Sequence, residues 1–280
     1  MTAAQRFAQA RPRLLRLAYS ELGDVDEAED VVQEAWLRLE RVDAGAIENL
    51  DGWLTTVVAR LALDRLRSAR ARRETYVGPW LPEPLVSDDP ADRVTLDESV
   101  SYALLTVLEQ LSPAERTAFV LHDVFDVPFG DVAEVVGRTP EAVRQLASRA
   151  RRHVKRAGPR FAASRDEHDR VVRAFAQAVA EGNLEALVAV LDPDVIWTSD
   201  GGGRATAARK PLRGGARVAR AWAALSRKSV REPLEINLNG RLGLVLPTGD
   251  GHRAALSFAV SEGRITRIDS IRNPEKLRRL

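Results

Sequence analysis

The sequence predicts a multidomain protein with two all-α domains, the second a helix-turn-helix, followed by an α+β domain with a curved antiparallel sheet. Apolar residues recur at helical spacing through the first half, and a proline-rich segment interrupts them. Short β-rich runs separated by Gly-containing turns fill the last third. A chain of 280 residues has the length of two or three domains. We predict domains at 1–75, 98–162 and 165–280, with a linker at 76–97.

The first predicted domain contains three helical patterns. Asp24 or Asp26 can cap the second helix, and Asp51 can cap the third. The third helix runs into a basic stretch, Arg60–Arg73, which contains six arginines and only one aspartate. Residues 1–164 hold 22 Lys/Arg against 26 Asp/Glu, so this cluster stands out from an acidic background. A solvated helix face is the plain alternative, but clustered cations on such a background favour local phosphate contacts.

The linker combines stiffness with exposed apolar groups. Four prolines lie within it, and each disfavours helix in the residue before it. Trp80 and Leu81 sit between these prolines, where large apolar side chains would be left in water unless they docked. We therefore expect this segment to pack against another part of the chain.

The second predicted domain contains the helix-turn-helix. Ser112-Pro113 indicates a helix start, and a short helix ending at Gly137 precedes a longer basic helix that starts at Thr139-Pro140. Six polar residues of that basic helix point away from its apolar side and are the candidates for base and phosphate contacts: Glu141, Arg144, Gln145, Ser148, Arg149 and Arg152. An ordinary helical hairpin with a basic face is the alternative, but placement on one face favours DNA binding.

The last predicted domain alternates helices and strands. Helices are expected at His168–Ala180, Leu184–Leu191 and near Ala216–Leu225. Strands are expected at Val195–Ser199, Leu234–Leu238, Gly243–Leu246, Ala254–Val260 and Ile265–Ile271. This order predicts an antiparallel sheet packed against helices.

Composition excludes several classes of function. There are no cysteines, which removes disulfides, thiol catalysis and Cys-based metal sites. The four histidines are scattered, so we expect neither a metal site nor a cofactor. No apolar run approaches the roughly 20 residues of a membrane span, and we identify no signal peptide. We expect no membrane partner and a cytoplasmic location.

Four segments together resemble one family. Asp26–Leu39, Trp53–Arg67, Leu111–Arg116 and Glu141–Arg152 are similar to regions 2 and 4 of extracytoplasmic-function sigma factors of RNA polymerase, in the expected order over about residues 5–160. The resemblance implies binding to core RNA polymerase, on its beta-prime clamp and beta flap, and to promoter DNA. The function implied is promoter-specific transcription initiation, and the chain is not expected to be an enzyme.

The resemblance assigns roles to three sets of residues. The core-polymerase contacts would be Asp30, Gln33, Glu34 and Leu37. The contacts to the −10 element would be Arg60, Asp64, Arg65 and Arg67, with the loop Arg41–Asn49 capturing a flipped base. The −35 element would be read by the six helix-turn-helix residues given above. Many relatives have Asn where Leu61 stands, and Leu cannot hydrogen-bond a base.

The C-terminal domain resembles the SnoaL-like fusion of one subgroup of these sigma factors. Three motifs carry this resemblance: Trp80–Leu85, Asp200–Arg204 and Asn273–Leu277. It implies a domain that replaces a separate anti-sigma factor and leaves room for an unidentified small-molecule ligand. The regulatory interface would comprise Trp80, Leu81, Pro82, Asp200, Gly201, Gly202, Gly203, Arg204, Asn273, Pro274 and Lys276. We expect the linker to dock near Asp200, with the tail packed beside it.

Two other functions remain open on the sequence alone. One is a helix-turn-helix regulator of transcription that does not bind polymerase. The other is catalysis in a SnoaL-like pocket, with Asp200, His252 and Asp269 as candidates and Trp197 as a wall. No acid/base pair among them is visibly spaced for catalysis.

Overall fold

The computed structural model describes most of the chain. The described ranges are 2–86, 100–157, 163–229 and 233–280. The second half of the predicted linker, residues 87–97, therefore lies outside the described residues, as do both outer edges of the predicted domain 98–162. Within the described ranges, no helix is both long and apolar enough to cross a bilayer.

Close packing divides the chain into two compact units. The first contains residues 1–74 and 107–157, and the second contains residues 75–106 and 158–280. The helix-turn-helix segment thus packs with the N-terminal helices in one unit, and the described half of the linker packs with the C-terminal domain.

The first unit is helical throughout. Its described helices are α1 (Ala3–Leu22), α2 (Val25–Leu39), α3 (Leu50–Glu74), α5 (Pro113–Phe119), a π-helical turn (Val120–Val124), α6 (Phe129–Val136) and α7 (Pro140–Ala157), together with residues 107 and 108 of α4 (Tyr102–Leu108), whose first five residues belong to the second unit. Asp24 caps α2, and Ser112 forms a capping box with Glu115, as the helix-start signals predicted. The prediction for the start of α3 was wrong by two residues, because Asn49, not Asp51, accepts the hydrogen bond from Gly52 N (3.0 Å).

The second unit is an α+β domain. It contains α8 (Arg165–Glu181), α9 (Leu184–Val190), α10 (Gly215–Ser229) and the strands β1 (Leu191–Asp200), β2 (Leu212–Arg213), β3 (Leu234–Leu238), β4 (Arg241–Pro247), β5 (Arg253–Ser261) and β6 (Arg264–Ile271), followed by a 3₁₀ turn (Pro274–Leu277). The sheet order is β2-β1-β6-β5-β4-β3. The predicted fold class is confirmed, and one pair departs from the antiparallel pattern: β1 and β6 are parallel. The connection between these two strands runs through β2, α10 and β3–β5, which is long enough for the crossover that parallel strands need.

The two faces of the sheet are covered by different parts of the chain. One face packs on the helices, with Phe175, Trp222, Phe258 and Ile268 in a common core. The opposite face carries Ala255, Ile271 and Leu238, which pack against Leu81 of the linker and Tyr102 of α4. The linker thus completes the burial of the outer face of the sheet.

Candidate nucleic-acid interface and linker attachment

The residues predicted to bind core polymerase lie on one exposed face of α2. Asp30, Gln33 and Leu37 are exposed and Glu34 is half-buried. Their spacing of three and four residues places them side by side on the helix. Asp30 pairs with Arg65 of α3 (3.2 Å) and Glu34 pairs with Arg38 (3.2 Å). The face is therefore acidic at one end and apolar at Leu37, which is 39% exposed.

The residues predicted to bind the −10 element lie on α3. Arg60, Asp64 and Arg67 are exposed at helical spacing, and Arg65 is half-buried. Arg67 pairs with Asp64 (3.2 Å), while Arg60 Nη2 donates to the main-chain oxygen of Glu134 in α6 (3.2 Å). These guanidinium groups already have partners inside the first unit. Phosphate groups would have to replace those partners, and the half-buried Leu61 adds no polar contact.

The loop predicted to capture a flipped base is short and carries polar side chains towards both of its ends. Residues 41–49 contain one 3₁₀ turn, Ala44–Ala46, stabilised by Asp43, whose carboxylate accepts from Gly45 N (2.9 Å). Most of the loop is exposed. Its polar groups are thus accessible to a base.

The six residues predicted to read the −35 element are all exposed on α7. Val143, Ala147 and Ala150 on the opposite side are fully buried, which fixes the orientation of the helix. Arg144 lies over the ring of Phe129 (5.5 Å) and pairs with Glu141 (3.4 Å). The pKa of Glu141 is lowered, chiefly by its own backbone N–H and then by the Thr139 hydroxyl. The structure therefore brings these polar groups together on one surface of the helix-turn-helix.

A buried polar network joins the N-terminal helices to the helix-turn-helix segment, and sequence reasoning did not find it. Arg116 is 1% exposed, and its guanidinium donates to Ser20 O (3.1 and 3.3 Å) and to the carboxylate of Glu109. Arg73, at the end of α3, donates to the same carboxylate. Thr117 donates to Glu21 (3.0 Å). Alternation of charge along a helix does not reveal which charges pair across helices, so no pattern in the sequence pointed to this network.

Burial perturbs the carboxyl of Glu21. It is fully buried, and its second oxygen has no partner among the described residues. Burial raises the pKa of Glu21 to about 7, against the opposing effects of Arg116 and of the Thr117 hydroxyl.

The structure also brings together the three C-terminal regulatory motifs, around the carboxylate of Asp200. This group is fully buried and accepts from Leu81 N (2.9 Å), Tyr76 Oη (2.6 Å), Gly202 N (3.1 Å) and Lys276 Nζ (2.7 Å). Lys276 also donates to Leu81 O. We call these five residues the Asp200 cluster. It ties the linker, the end of β1 and the C-terminal tail to one point.

Aromatic rings enclose the cation of this cluster. Lys276 Nζ lies 3.9 Å from the centre of the Trp80 ring and 5.2 Å from that of Tyr76. Such contacts stabilise an ammonium group that is taken out of water. The pKa of the Tyr76 hydroxyl is raised, first by burial and then by its hydrogen bond to Asp200. Tyr76 was not predicted, because nothing in the sequence distinguished it from the other linker residues.

The remaining predicted regulatory residues surround the Asp200 cluster. Asn273 Nδ2 donates to Tyr76 Oη (2.9 Å), and Asn273 N donates to Asp200 O (2.9 Å). Pro274 starts the 3₁₀ turn that carries Lys276. Arg204 is exposed and pairs with Glu275 (2.7 Å), so it links the same two motifs at the surface.

Steric crowding excludes a side chain at two glycines of the Asp200–Arg204 turn. A Cβ on Gly201 would lie 2.2 Å from Ala205 O, and one on Gly202 would lie 2.5 Å from Asn273 Nδ2. Gly202 and Gly203 also have positive φ values, 59° and 72°. The turn can therefore approach the tail closely only with glycine at these positions.

The linker is attached at two further points that sequence reasoning missed. Leu85 and Asn239 exchange two hydrogen bonds (2.9 and 2.8 Å), and Val86 forms a β-bridge with Leu238. Tyr102 Oη donates to Pro82 O (2.8 Å). The described linker is thus held along its length.

The catalytic candidates are not brought together. Trp197 packs against Trp222 on the helix-facing side of the sheet (4.8 Å between ring centres), whereas Asp269 pairs with Arg267 (2.7 Å). Asp200 is saturated by donors, and His252 follows the turn at Gly251. Trp197 and Asp200 point to opposite faces of β1, because they are three residues apart and side chains alternate along a strand.

Comparisons with known proteins match the N-terminal helices and the helix-turn-helix segment separately. The Sigma-70 region 2 family matches residues 7–72, and the Sigma-70 region 4 family matches residues 101–154. The ECF RNA polymerase sigma factor SigJ of Mycobacterium tuberculosis is 42% identical, covering 96% of this chain and 91% of SigJ. The probable ECF RNA polymerase sigma factor SigI of the same species is 38% identical, covering 95% and 92%.

A solved structure shows the same arrangement of elements along the chain. The crystal structure of M. tuberculosis SigJ matches with a TM-score of 0.81 and 38% identity, over 98% of each chain. Because similarity of this extent covers the region 2 helices, the helix-turn-helix and the C-terminal domain alike, the chain belongs to the extracytoplasmic-function family of RNA polymerase sigma factors, which direct transcription initiation.

Proposed function

We propose that the C-terminal domain regulates this sigma factor by holding the linker, and that release of the linker from the Asp200 cluster increases promoter-specific initiation. The observation that carries the proposal is the Asp200 carboxylate, which is fully buried and accepts a hydrogen bond from the linker main chain at Leu81 while it is paired with Lys276 of the tail. One side chain therefore connects the linker to two motifs of the C-terminal domain.

The attachment at Asp200 includes a buried ion pair, which makes it strong enough to restrain the linker. Removing one partner of a buried ion pair costs about 3–5 kcal/mol, because the other charge stays buried without compensation. Loss of the tail or of Lys276 would therefore favour a state in which Asp200 is hydrated and Leu81 leaves the sheet. A small molecule that bound the C-terminal domain would act by shifting the same equilibrium.

Docking of the linker limits how far the two DNA-binding regions can separate. Because Tyr102 holds Pro82, residues 74 and 107 can lie at most about 45 Å apart, given ~3.4 Å per extended residue and ~1.5 Å per helical residue. The roughly 33 residues between them could extend to roughly 110 Å if released. Elements at −10 and −35 lie about 85 Å apart on duplex DNA at ~3.4 Å per base pair.

The regions are in contact within the first unit, as Arg60 and Glu134 demonstrate. Binding to both elements at once requires them to part. We infer that the docked linker favours the packed state and so lowers activity.

Contact residues follow from the exposed surfaces described above. Asp30, Gln33, Glu34 and Leu37 would bind the beta-prime clamp, and the domain with the helix-turn-helix would bind the beta flap and the −35 element. Arg60, Asp64, Arg65 and Arg67 would bind the −10 element. Exposure of these side chains and the family of the chain support the assignments. Gln33→Ala with Leu37→Ala should weaken capture of core polymerase without changing duplex DNA binding by the isolated protein.

Run-off transcription with core polymerase tests the regulatory proposal. Lys276→Met should increase initiation several-fold relative to the unmodified protein, and so should deletion of residues 273–280. Arg278→Gln is the matched control, because Arg278 is a basic tail residue that is 64% exposed and faces Glu275 rather than Asp200. Equal initiation from the Lys276→Met protein and the unmodified protein would contradict the proposal, as would lower initiation from a variant that still binds core polymerase.

A further inference from the structure

We infer that the C-terminal domain carries its own surface for the phosphate backbone of duplex DNA. Residues 201–231 contain nine Lys/Arg and no Asp or Glu. Five of these cations precede or begin α10 and define the basic surface: Arg209, Lys210, Arg213, Arg217 and Arg220. The inference adds a third nucleic-acid contact to those of the two sigma regions and does not depend on the Asp200 cluster.

The five side chains are free to meet a partner. All are exposed, and none forms an ion pair or hydrogen bond through its side chain with any described residue. Arg204, the preceding cation, is excluded from the surface because Glu275 neutralises it. Arg213 lies in β2, paired with Ile196, and the helix that carries Arg217 and Arg220 begins two residues later. The cations therefore follow one another along a single stretch of surface.

The placement of these cations opposes the stability of the free domain. Arg217 is in the first turn of α10, where the helix dipole favours acidic groups, and this turn contains none. Arg217 and Arg220 are three residues apart, so they repel one another on one face of the helix. The helix would form more readily with neutral or acidic residues at these positions. A row of anions across the surface would remove both penalties.

Acidic groups nearby do not provide that compensation. Asp192 and Asp194, at the start of β1, lie near the start of α10, since Gly215 packs against the main chain of Asp192. Neither pairs with a cation of the basic surface within the described ranges. Four of the five cations are arginines, whose planar guanidinium group matches phosphate oxygens in pairs. Duplex DNA carries one negative charge per ~1.7 Å of its axis, which is enough negative charge to compensate these cations.

The test is the salt dependence of binding to a duplex without promoter sequence, measured with the full-length protein and no polymerase. Arg217→Gln with Arg220→Gln should lower the slope of log affinity against log salt concentration by about 0.9 for each phosphate that the variant no longer binds. If both arginines bind phosphate, the affinity of the unmodified protein should fall roughly tenfold more than that of the variant between about 50 and 200 mM salt. The ratio of promoter affinity to non-promoter affinity should be the same for the variant and the unmodified protein, because phosphate contacts carry no sequence information.

The matched control is Arg170→Gln with Arg253→Gln, which removes the same charge from exposed arginines elsewhere in the domain whose side chains pair with no described residue. It should leave the slope within a few tenths of the unmodified value. An equal slope for the basic-surface variant and the unmodified protein would overturn the inference. If the same variant also captured core polymerase more weakly, that result would assign the surface to an acidic protein instead of DNA. Failure of the linker proposal would appear only in transcription, so the two outcomes are distinguishable.

Discussion

The raised pKa of Glu21 predicts that acid stabilises the packing of regions 2 and 4. Glu21 is in α1, and its carboxyl accepts from Thr117 of α5, so it lies in the contact between the two regions. In the folded chain the carboxyl stays protonated up to about pH 7, whereas in the unfolded chain it ionises near its ordinary value of 4.5. Glu21→Gln keeps the size of the side chain and an acceptor for Thr117, and it removes the titration.

The sign and size follow from the difference between these two pKa values. A raised folded-state pKa means that the unfolded state releases its proton first, so stability is lost as the pH rises from about 4.5 to 7 and is constant above that range. Each pKa unit is equivalent to ~1.4 kcal/mol, so this carboxyl costs the unmodified protein about 3 kcal/mol at pH 8. Between pH 5 and pH 8 the loss is roughly 2–3 kcal/mol. The Gln variant should lack this loss.

Urea unfolding at pH 5 and pH 8 measures the difference, with hydrogen-exchange pulses at one fixed pH read on peptides from α1. Because two compact units need not unfold together, the readout must come from the unit that contains Glu21. Glu40→Gln is the control, since Glu40 is exposed and should leave the pH dependence unchanged. The reasoning is refuted if Glu21→Gln and the unmodified protein lose the same free energy of unfolding between the two pH values.

Three further predictions concern the other contacts. Glu109→Gln leaves the buried guanidinium groups without a counter-charge, so the first unit should lose about 3–5 kcal/mol in urea unfolding, and a loss below about 1 kcal/mol would contradict the buried network. Gly201→Ala should destabilise the second unit by about 2 kcal/mol or more, because the added Cβ meets a carbonyl oxygen. Gly251→Ala should cost only about 1 kcal/mol, because Gly251 lies in open space and only its φ of 82° opposes a side chain. Equal melting temperatures for the two variants would contradict this prediction. Arg144→Ala should reduce discrimination between −35 sequences by about 1–3 kcal/mol in competition binding. Lys155 is an exposed cation in the last turn of α7, where it suits a phosphate contact, so Lys155→Gln should weaken all duplexes alike. Uniform weakening by both variants would assign Arg144 to phosphate.

Local patterns predicted elements better than they predicted partners. The α7 face could be predicted because Val143 and Ala150 recur at helical spacing and leave Arg144 outside. Docking of Trp80 and Leu81 could be predicted for a similar reason, since exposed apolar side chains on a stiff segment are unfavourable in water. Such inferences need only the hydrophobic effect and the period of the helix.

Other features depend on contacts between residues far apart in sequence. The parallel pairing of β1 with β6 depends on where a crossover returns, and Tyr76 meets Asp200 across 124 positions. Arg116 shows the limit most clearly: an arginine in an amphipathic helix is ordinarily expected to face solvent, yet it is 1% exposed because Glu109 and Ser20 O compensate its charge. A buried cation can be inferred only when its partners are known.

In the proposed mechanism, two restraints act on the same motion of this sigma factor. Parting of regions 2 and 4 would expose the Glu109 network and free Arg60 from Glu134, while release of the linker would allow the greater separation that we propose for promoter binding. On this proposal neither event alone gives an extended protein, because a docked linker would limit the separation of the regions and their packing would withhold the proposed −10 surface. Promoter DNA would contribute directly to the parting of the two regions, since phosphate would compete with the main-chain oxygen of Glu134 for the Arg60 guanidinium and would form the stronger hydrogen bond. We therefore expect Lys276→Met and Glu109→Gln to increase initiation by different routes. Their effects on the free energy of opening should add, because the Asp200 cluster and the Glu109 network belong to different compact units and share no residue.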